Sequence, residues 1–301
     1  MPYNGEISAL ATAFFWSFTS IFFTLSGRRI GSYWVNKIRI PFAIVLLGLT
    51  LLLTTGQLLP GGISSSAYIY LGLSGIVGLT LGDSCLFRAF VTIGTRLTLL
   101  IFTVSPIIAA LTAWILLGET LSAAAMIGIA VTLGGIAWVT AERSHDEKAN
   151  SYADRGSKTA GIFLALGGAS CQAIGLVLAK AGMADSLAPL PATFIRMVTA
   201  GIAIWAFSFI TGDFRKTAGK FKDIRAILLA FGGAVCGPFL GVWFSLRAVK
   251  YTEAGVAAAI MATVPILVIP LVIFVYREKV SIRAIFGAAI AVGGIVILFL
   301  G

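Results

Sequence analysis

Residues 82–140 read GDSCLFRAFVTIGTRLTLLIFTVSPIIAALTAWILLGETLSAAAMIGIAVTLGGIAWVT, and residues 241–299 read GVWFSLRAVKYTEAGVAAAIMATVPILVIPLVIFVYREKVSIRAIFGAAIAVGGIVILF. The two align without a gap at a shift of 159 positions, the separation of Arg88 and Arg247. At that shift Arg88-Ala89 falls on Arg247-Ala248, Pro106 on Pro265, Glu119 on Glu278 and Ser122 on Ser281. Gly128, Gly134 and Gly135 fall on Gly287, Gly293 and Gly294. One unit has been duplicated, and an internal repeat constrains the fold more than any single motif does.

The repeated unit is too apolar for a soluble domain. Of 301 residues, 58% are hydrophobic and 11% charged, and the mean hydropathy is +1.00. Soluble domains carry roughly 45–50% apolar and about 25% charged residues. A hydrocarbon core ~30 Å thick takes about 20 apolar residues at a rise of ~1.5 Å each. Ten segments meet that length, near 5–25, 33–55, 67–90, 97–117, 122–140, 159–182, 190–211, 226–249, 254–276 and 282–300. None alternates strictly, as a barrel strand would. The expectation is an all-α polytopic membrane protein of ten transmembrane helices. The first span has no basic residue ahead of it and no A-x-A-like site after it, and reads as retained.

The net charge of +10 reports orientation here rather than a nucleic-acid partner. Arg28, Arg29 and Lys37 follow span 1, Arg88 and Arg96 flank the turn between spans 3 and 4, and Arg143, Lys148, Arg155 and Lys158 separate spans 5 and 6. Arg215, Lys216, Lys220, Lys222 and Arg225 follow span 7, and Arg277, Lys279 and Arg283 surround the 9–10 turn. Only Lys180, Arg247 and Lys250 fall near the other side. With the positive loops cytoplasmic, both termini are expected outside.

Residues 141–158, AERSHDEKANSYADRGSK, form the one long polar stretch and contain the sole histidine, His145. They read as a cytoplasmic linker between a first repeat at 1–140 and a second at 159–301. Five spans per half is an odd number, so the halves enter the membrane from opposite sides and form inverted repeats. Such repeats place a shared site near the midplane and let rocking expose it to each side in turn.

The stretch from Leu81 to Ser122, with Gly82, Arg88-Ala89, Pro106 and Glu119, resembles the EamA family of the drug/metabolite transporter superfamily. Its echo, with Arg247-Ala248, Pro265 and Glu278, resembles a second EamA unit, with Arg277-Glu278 where the first half has Gly118-Glu119. The resemblance covers nearly the whole chain. It implies two inverted five-helix halves around a central cavity, and export of amino acids or other small metabolites across a bacterial-type inner (plasma) membrane. A lipid-linked substrate flippase of the same superfamily is the alternative, because Arg39 and Arg196 could hold a lipid phosphate. The shared motifs do not name the substrate.

Polar side chains inside the bilayer are functional candidates by default. Arg39 and Arg196 occur at matching places in both halves, and read either as bonding backbone carbonyls at a neighbouring helix end or snorkelling toward the interface, or as one of them holding a substrate carboxylate. Asn36 lies one turn before Arg39. Asp83 faces Val242 in the alignment and should lie about 10 Å deep. It reads either as a partner of Arg39 or another cation, or as a site for a substrate ammonium or a coupling proton. Ser84 and Gln172 are further polar residues present in one half only. Trp16 and Trp243, with small or polar neighbours such as Ser17, Ser20, Gly237 and Gly241, are candidates to wall the cavity, and Phe87 and Tyr70 are weaker ones. Pro106 and Pro265 are expected to kink spans 4 and 9 and serve gating. Glu119 and Glu278 close those spans and should pair with loop cations or backbone donors. Ala130-xxx-Gly134 and Ala289-xxx-Gly293 are small-residue spacings suited to close helix packing.

Cys85, Cys171 and Cys236 lie in predicted spans without CxxC spacing, so neither a disulfide nor a metal is expected. There is no P-loop, no dinucleotide-binding glycine turn and no metal spacing. With the one histidine in the linker and no carboxylate beside Asp83 in its motif, no cofactor and no enzyme chemistry are expected. The expected partners are a small-molecule substrate and membrane lipid.

Overall fold

The computed structural model describes residues 3–93, 95–141, 158–184, 187–212, 222–276 and 282–300. His145 and most of the 141–158 linker lie outside the described residues, as do Arg277 and Glu278. Among the described residues there are helices and turns and no strand. With no water in a bilayer core, backbone groups must bond within their own segment, and helices are the solution open to a chain of this pattern.

In the first half α1 (Asn4–Ile30) and α2 (Ser32–Thr55) are single helices. Next come α3 (Ser65–Ser74), a π-helical segment (Gly75–Gly82) and α4 (Asp83–Ile93), and then α5 (Thr95–Phe102), α6 (Ser105–Leu117) and α7 (Ala123–Ala141). The second half repeats the plan. Its α8 (Lys158–Gly182) and α9 (Pro189–Ile210) are single helices; α10 (Ile224–Ala234), a second π-helical segment (Val235–Gly241) and α11 (Val242–Tyr251) run on; α12 (Ala254–Met261), α13 (Val264–Tyr276) and α14 (Ile282–Leu300) complete it. Among the described residues seven helices are long and apolar enough to cross a membrane. Three shorter apolar helices, Ala123–Val139, Ala254–Val268 and Ile285–Leu300, stand where the fifth, ninth and tenth spans are predicted.

Local chemistry sets the breaks. Gly56 and Gly118 end α2 and α6 at φ of 70° and 68°, a left-handed conformation that glycine adopts without strain. Pro106 and Pro265 do not kink continuous helices as expected. Each lies in the first turn of a new helix, α6 or α13, just after a two-residue turn at 103–104 or 262–263. Proline lacks the N–H that would bond one turn back, and its ring clashes there, so a first-turn position removes both penalties. The Thr103 and Thr263 hydroxyls donate to Leu100 O and Ile260 O at these breaks, each at 2.7 Å.

The halves are interleaved, not set side by side. The helix α8 of the second half packs on α3, the first π segment, α4, α5 and α6 of the first. In return α1 packs on α10, the second π segment, α11, α12 and α13. Small side chains make these approaches possible: every residue of α12 is buried, and four of its eight are alanine. In lipid, packing of this kind is held by dispersion contacts.

At one edge α7 lies along α14, and here the expected seam is corrected. Ala130, Gly134, Ala289 and Gly293 face outward, and a Cβ on Gly134 or Gly293 would meet nothing within 4 Å. The contact is made by Gly128, Thr132 and Gly135 against Gly287, Ala291 and Gly294; a Cβ on Gly135 would come 2.5 Å from Ala291 N. At about 100° per residue, Gly134 and Gly135 cannot share a helix face. The small-residue spacing pointed to Gly134, and the structure packs Gly135.

Candidate functional site

Asp83 opens α4 immediately after the first π segment and is 5% exposed. Its Oδ2 forms an ion pair with Arg39 of α2, and its Oδ1 accepts a hydrogen bond from the side-chain amide of Gln172 in α8. Arg39 is 8% exposed, and its Nε donates to Asn36 Oδ1 at 2.9 Å. The Arg39 guanidinium also lies 5.7 and 5.6 Å from the ring centres of Phe23 and Phe87, within cation–π range. A buried charge is tolerable when it is paired and its remaining bonding positions are filled. Arg39 and Asp83 of the first half meet that condition together, with Gln172 of the second half filling the other Asp83 oxygen.

Arg196 of α9 does not. It is 2% exposed, and its Nε is a buried donor with no hydrogen-bond partner. Its guanidinium rests against the first π segment, where a Cβ on Gly78 would come 2.6 Å from Nη2. Its charge, like that of Arg39, acts on Asp83. Beside it the Thr80 hydroxyl donates to Ala200 O at 3.2 Å, tying the π segment to α9.

The duplication shows how one-sided this cluster is. At the 159-residue shift, Gly78, Gly82 and Asp83 fall on Gly237, Gly241 and Val242. Gly82 is backed by Cys171 and Gln172, whereas Gly241 is backed by Trp16; Gly78 is backed by Arg196 and Gly175, whereas Gly237 is backed by Thr19. The scaffold and the arginine are repeated, and the Asp83 carboxylate is not. Trp16 therefore occupies in one half the place that Gln172 holds in the other.

The remaining candidates are dispersed. Ser84 is exposed, and its hydroxyl donates to Thr80 O of the preceding turn at 2.5 Å, so the structure does not bring it to Asp83. Trp243 is half-buried against Phe239 and Phe244, at ring separations of 6.2 and 5.9 Å. Lys37, counted above among the loop cations, is instead 1% exposed within α2. It donates to Ser208 Oγ at 2.9 Å and lies 4.2 Å from the Tyr33 ring centre. A long stem lets a lysine set one turn inside a span find a polar end, which residue order alone does not reveal. The π segments and Phe23 were also missed; the glycines of GIVGLTLG and VCGPFLG were the available signal. Such segments recur at functional sites.

The helix ends are tied by charge. Glu119, just past α6, pairs with Lys180 of α8 and accepts from Ala254 N at the start of α12, at 2.9 Å. Lys180 also donates to Thr252 O at 2.7 Å, and Thr252 donates to Glu6 at 2.9 Å. These groups, with Lys250, Tyr251 and Glu253, line a cleft of about 470 Å³. A second cleft of about 310 Å³ lies by Pro60–Ser64 and Pro191; neither includes Asp83 or the two arginines. At the opposite ends of α1 and α10, Arg29 pairs with Asp223 at 2.9 Å. The backbone N–H of Ala226 and the Arg29 side chain hold the Asp223 carboxyl below its ordinary range.

Helices of this length and hydropathy, broken and π-distorted at equivalent places, describe a multi-pass integral membrane protein with buried charge among its spans. The profile of the EamA-like transporter family matches residues 3–141 and 159–300. The chain belongs to that family and is a membrane transporter of small molecules. A solved structure described as "Crystal structure of protein" superposes with a TM-score of 0.74 at 16% identity, over 99% of this chain and 96% of that one. That likeness is one of fold. No curated protein matches the chain in sequence.

Proposed function

We propose that the protein is a secondary carrier that exports small polar metabolites, amino acids or related compounds, across the inner membrane by alternating access. The observation that carries the reading is the buried Asp83 carboxylate, shared between Arg39 of one half and Gln172 of the other. Displacement of α8 against α4 breaks the Gln172 bond and leaves Arg39 in place, so the site's polarity is coupled to rocking. On this reading residues 1–140 and 159–301 are inverted repeats joined by a cytoplasmic linker, with both termini outside. The Glu119–Lys180 ion pair then latches the outer end and Arg29–Asp223 the inner end. The helix breaks before Pro106 and Pro265 supply the hinges, since interrupted helices beside a midplane site suit this motion.

Counterflow in vesicles of the purified chain, with a panel of unlabelled and labelled amino acids, tests the reading. Saturable, trans-stimulated uptake supports it, and linear uptake without trans-stimulation describes a pore and rejects it. Movement of a lipid-linked substrate is the second reading, favoured by one observation: the unpartnered Arg196 donor suits a phosphate. Transbilayer movement of a fluorescent phospholipid, without solute counterflow, selects it.

A further inference from the structure

We infer that Arg196 is the docking point for a compact anionic group, a carboxylate or a phosphate, on the transported molecule. This rests on the carrier reading above and narrows its substrate class. The sequence left Arg39 and Arg196 as equal candidates, and the structure separates them. Both oxygens of Asp83 are engaged, one by Arg39 and one by Gln172. The Arg39 guanidinium is further occupied by Asn36 and flanked by two rings. The cluster of Arg39, Asp83 and Arg196 thus holds two cations against one carboxylate, and the surplus charge belongs to Arg196, whose Nε has no partner.

A buried guanidinium with an unfilled donor is costly unless something completes it. Gly78 lies beside Arg196 Nη2, and Gly175 packs on Gly78 so closely that a Cβ there would stand 2.7 Å from the Gly78 Cα. Glycine at both places lets α8, the π segment and the Arg196 guanidinium approach closely, and the nearest carboxylate, Asp83, acts on Arg196 by charge while its oxygens bond Arg39 and Gln172. A guanidinium's planar fork suits the two oxygens of a carboxylate or phosphate. A cationic solute would meet like charge, and Asp83 is not free to receive its ammonium. An amino acid therefore docks through its carboxylate.

The test uses detergent-solubilised full-length protein, its unfolding midpoint followed against L-leucine, L-leucinamide, 2-oxoglutarate and inorganic phosphate. At least one carboxylate or phosphate probe is expected to raise the midpoint, and leucinamide to need about tenfold or more the concentration of leucine, the scale of a lost charge-assisted bond. Arg196→Gln should abolish the response, and Arg196→Lys should weaken it by about tenfold through loss of the fork. A leucine response matched by leucinamide, an unchanged anion response in Arg196→Gln, or no response to any anionic probe overturns the inference. Should Arg196→Gln fail to fold, Arg196→Lys and the leucine–leucinamide pair decide. Mass spectrometry of co-purified lipid assigns the source: anionic phospholipid lost on Arg196→Lys marks a headgroup, and its absence alongside a probe response marks a soluble anion. Counterflow run in parallel separates the two readings. Anion binding without counterflow removes the carrier and keeps the site, whereas counterflow indifferent to Arg196→Lys removes the site and keeps the carrier.

Discussion

Replacing Asp83 with asparagine should cost the protein stability as well as transport. The substitution keeps a side-chain oxygen for Gln172 but strips Arg39 of its counter-charge, in a place where the two side chains are only 10% and 7% exposed. Removing one member of a buried pair costs about 3–5 kcal/mol. Asparagine still accepts hydrogen bonds, so the lower end, about 3 kcal/mol, is expected here. Removing both charges in Arg39→Gln/Asp83→Asn should recover part of that loss, with a coupling of about 1–3 kcal/mol. The assay is a double-mutant cycle on denaturant unfolding of the purified protein in detergent, at low and at high salt. Burial protects the pair from screening, so the coupling should barely move with ionic strength. A single Asp83→Asn within about 0.5 kcal/mol of wild type, the scale of a neutral surface change, would refute the placement of this pair.

Further consequences are more local. Gly135→Ala should destabilise by about 1–3 kcal/mol through overpacking on α14, while Gly134→Ala, which meets nothing, should be neutral or gain up to about 1 kcal/mol of helix propensity; similar midpoints for the two variants would contradict the seam. Asp223 has a carboxyl pKa lowered in the folded state, so its contribution is present above the unfolded value of about 3.9 and is lost as pH falls through the lower folded value. An acid-unfolding profile should therefore shift upward in pH for Asp223→Asn, and a superimposable profile would dissociate Arg29–Asp223 from stability. Glu119→Gln should weaken the tie between α6, α8 and α12 and increase thiol labelling of a cysteine introduced at Thr252; unchanged labelling would deny that end its latch.

The repeat made most of the architecture legible. Its gapless alignment located equivalent glycines and prolines, and hydropathy located the seven described helices long enough to cross a membrane, with shorter apolar helices where the fifth, ninth and tenth spans were expected. What stayed hidden followed from rotation and reach, which order along the chain does not encode. Gly134 and Gly135 are neighbours in sequence and lie about 100° apart on their helix, so only contact partners reveal which one packs. Lys37 stood beside true loop cations yet turned inward, because a four-carbon stem can reach Ser208 from one turn inside. Arg39 and Arg196 matched each other and gave no means to tell a neutralised arginine from an unpartnered one. That difference arises from Asp83 and Gln172, each without a counterpart in the other half, which was visible as an asymmetry but not as a contact. The prolines marked the right places, and only the geometry showed breaks there instead of kinks.

The most direct test of the central claim is counterflow measured side by side for wild type and Asp83→Asn, in the same vesicles and at equal amounts of folded protein. The account predicts saturable, trans-stimulated flux of a carboxylate-bearing solute in wild type and its loss in the variant. Equal flux in both, or flux that rises linearly with concentration and ignores solute on the far side, would contradict it.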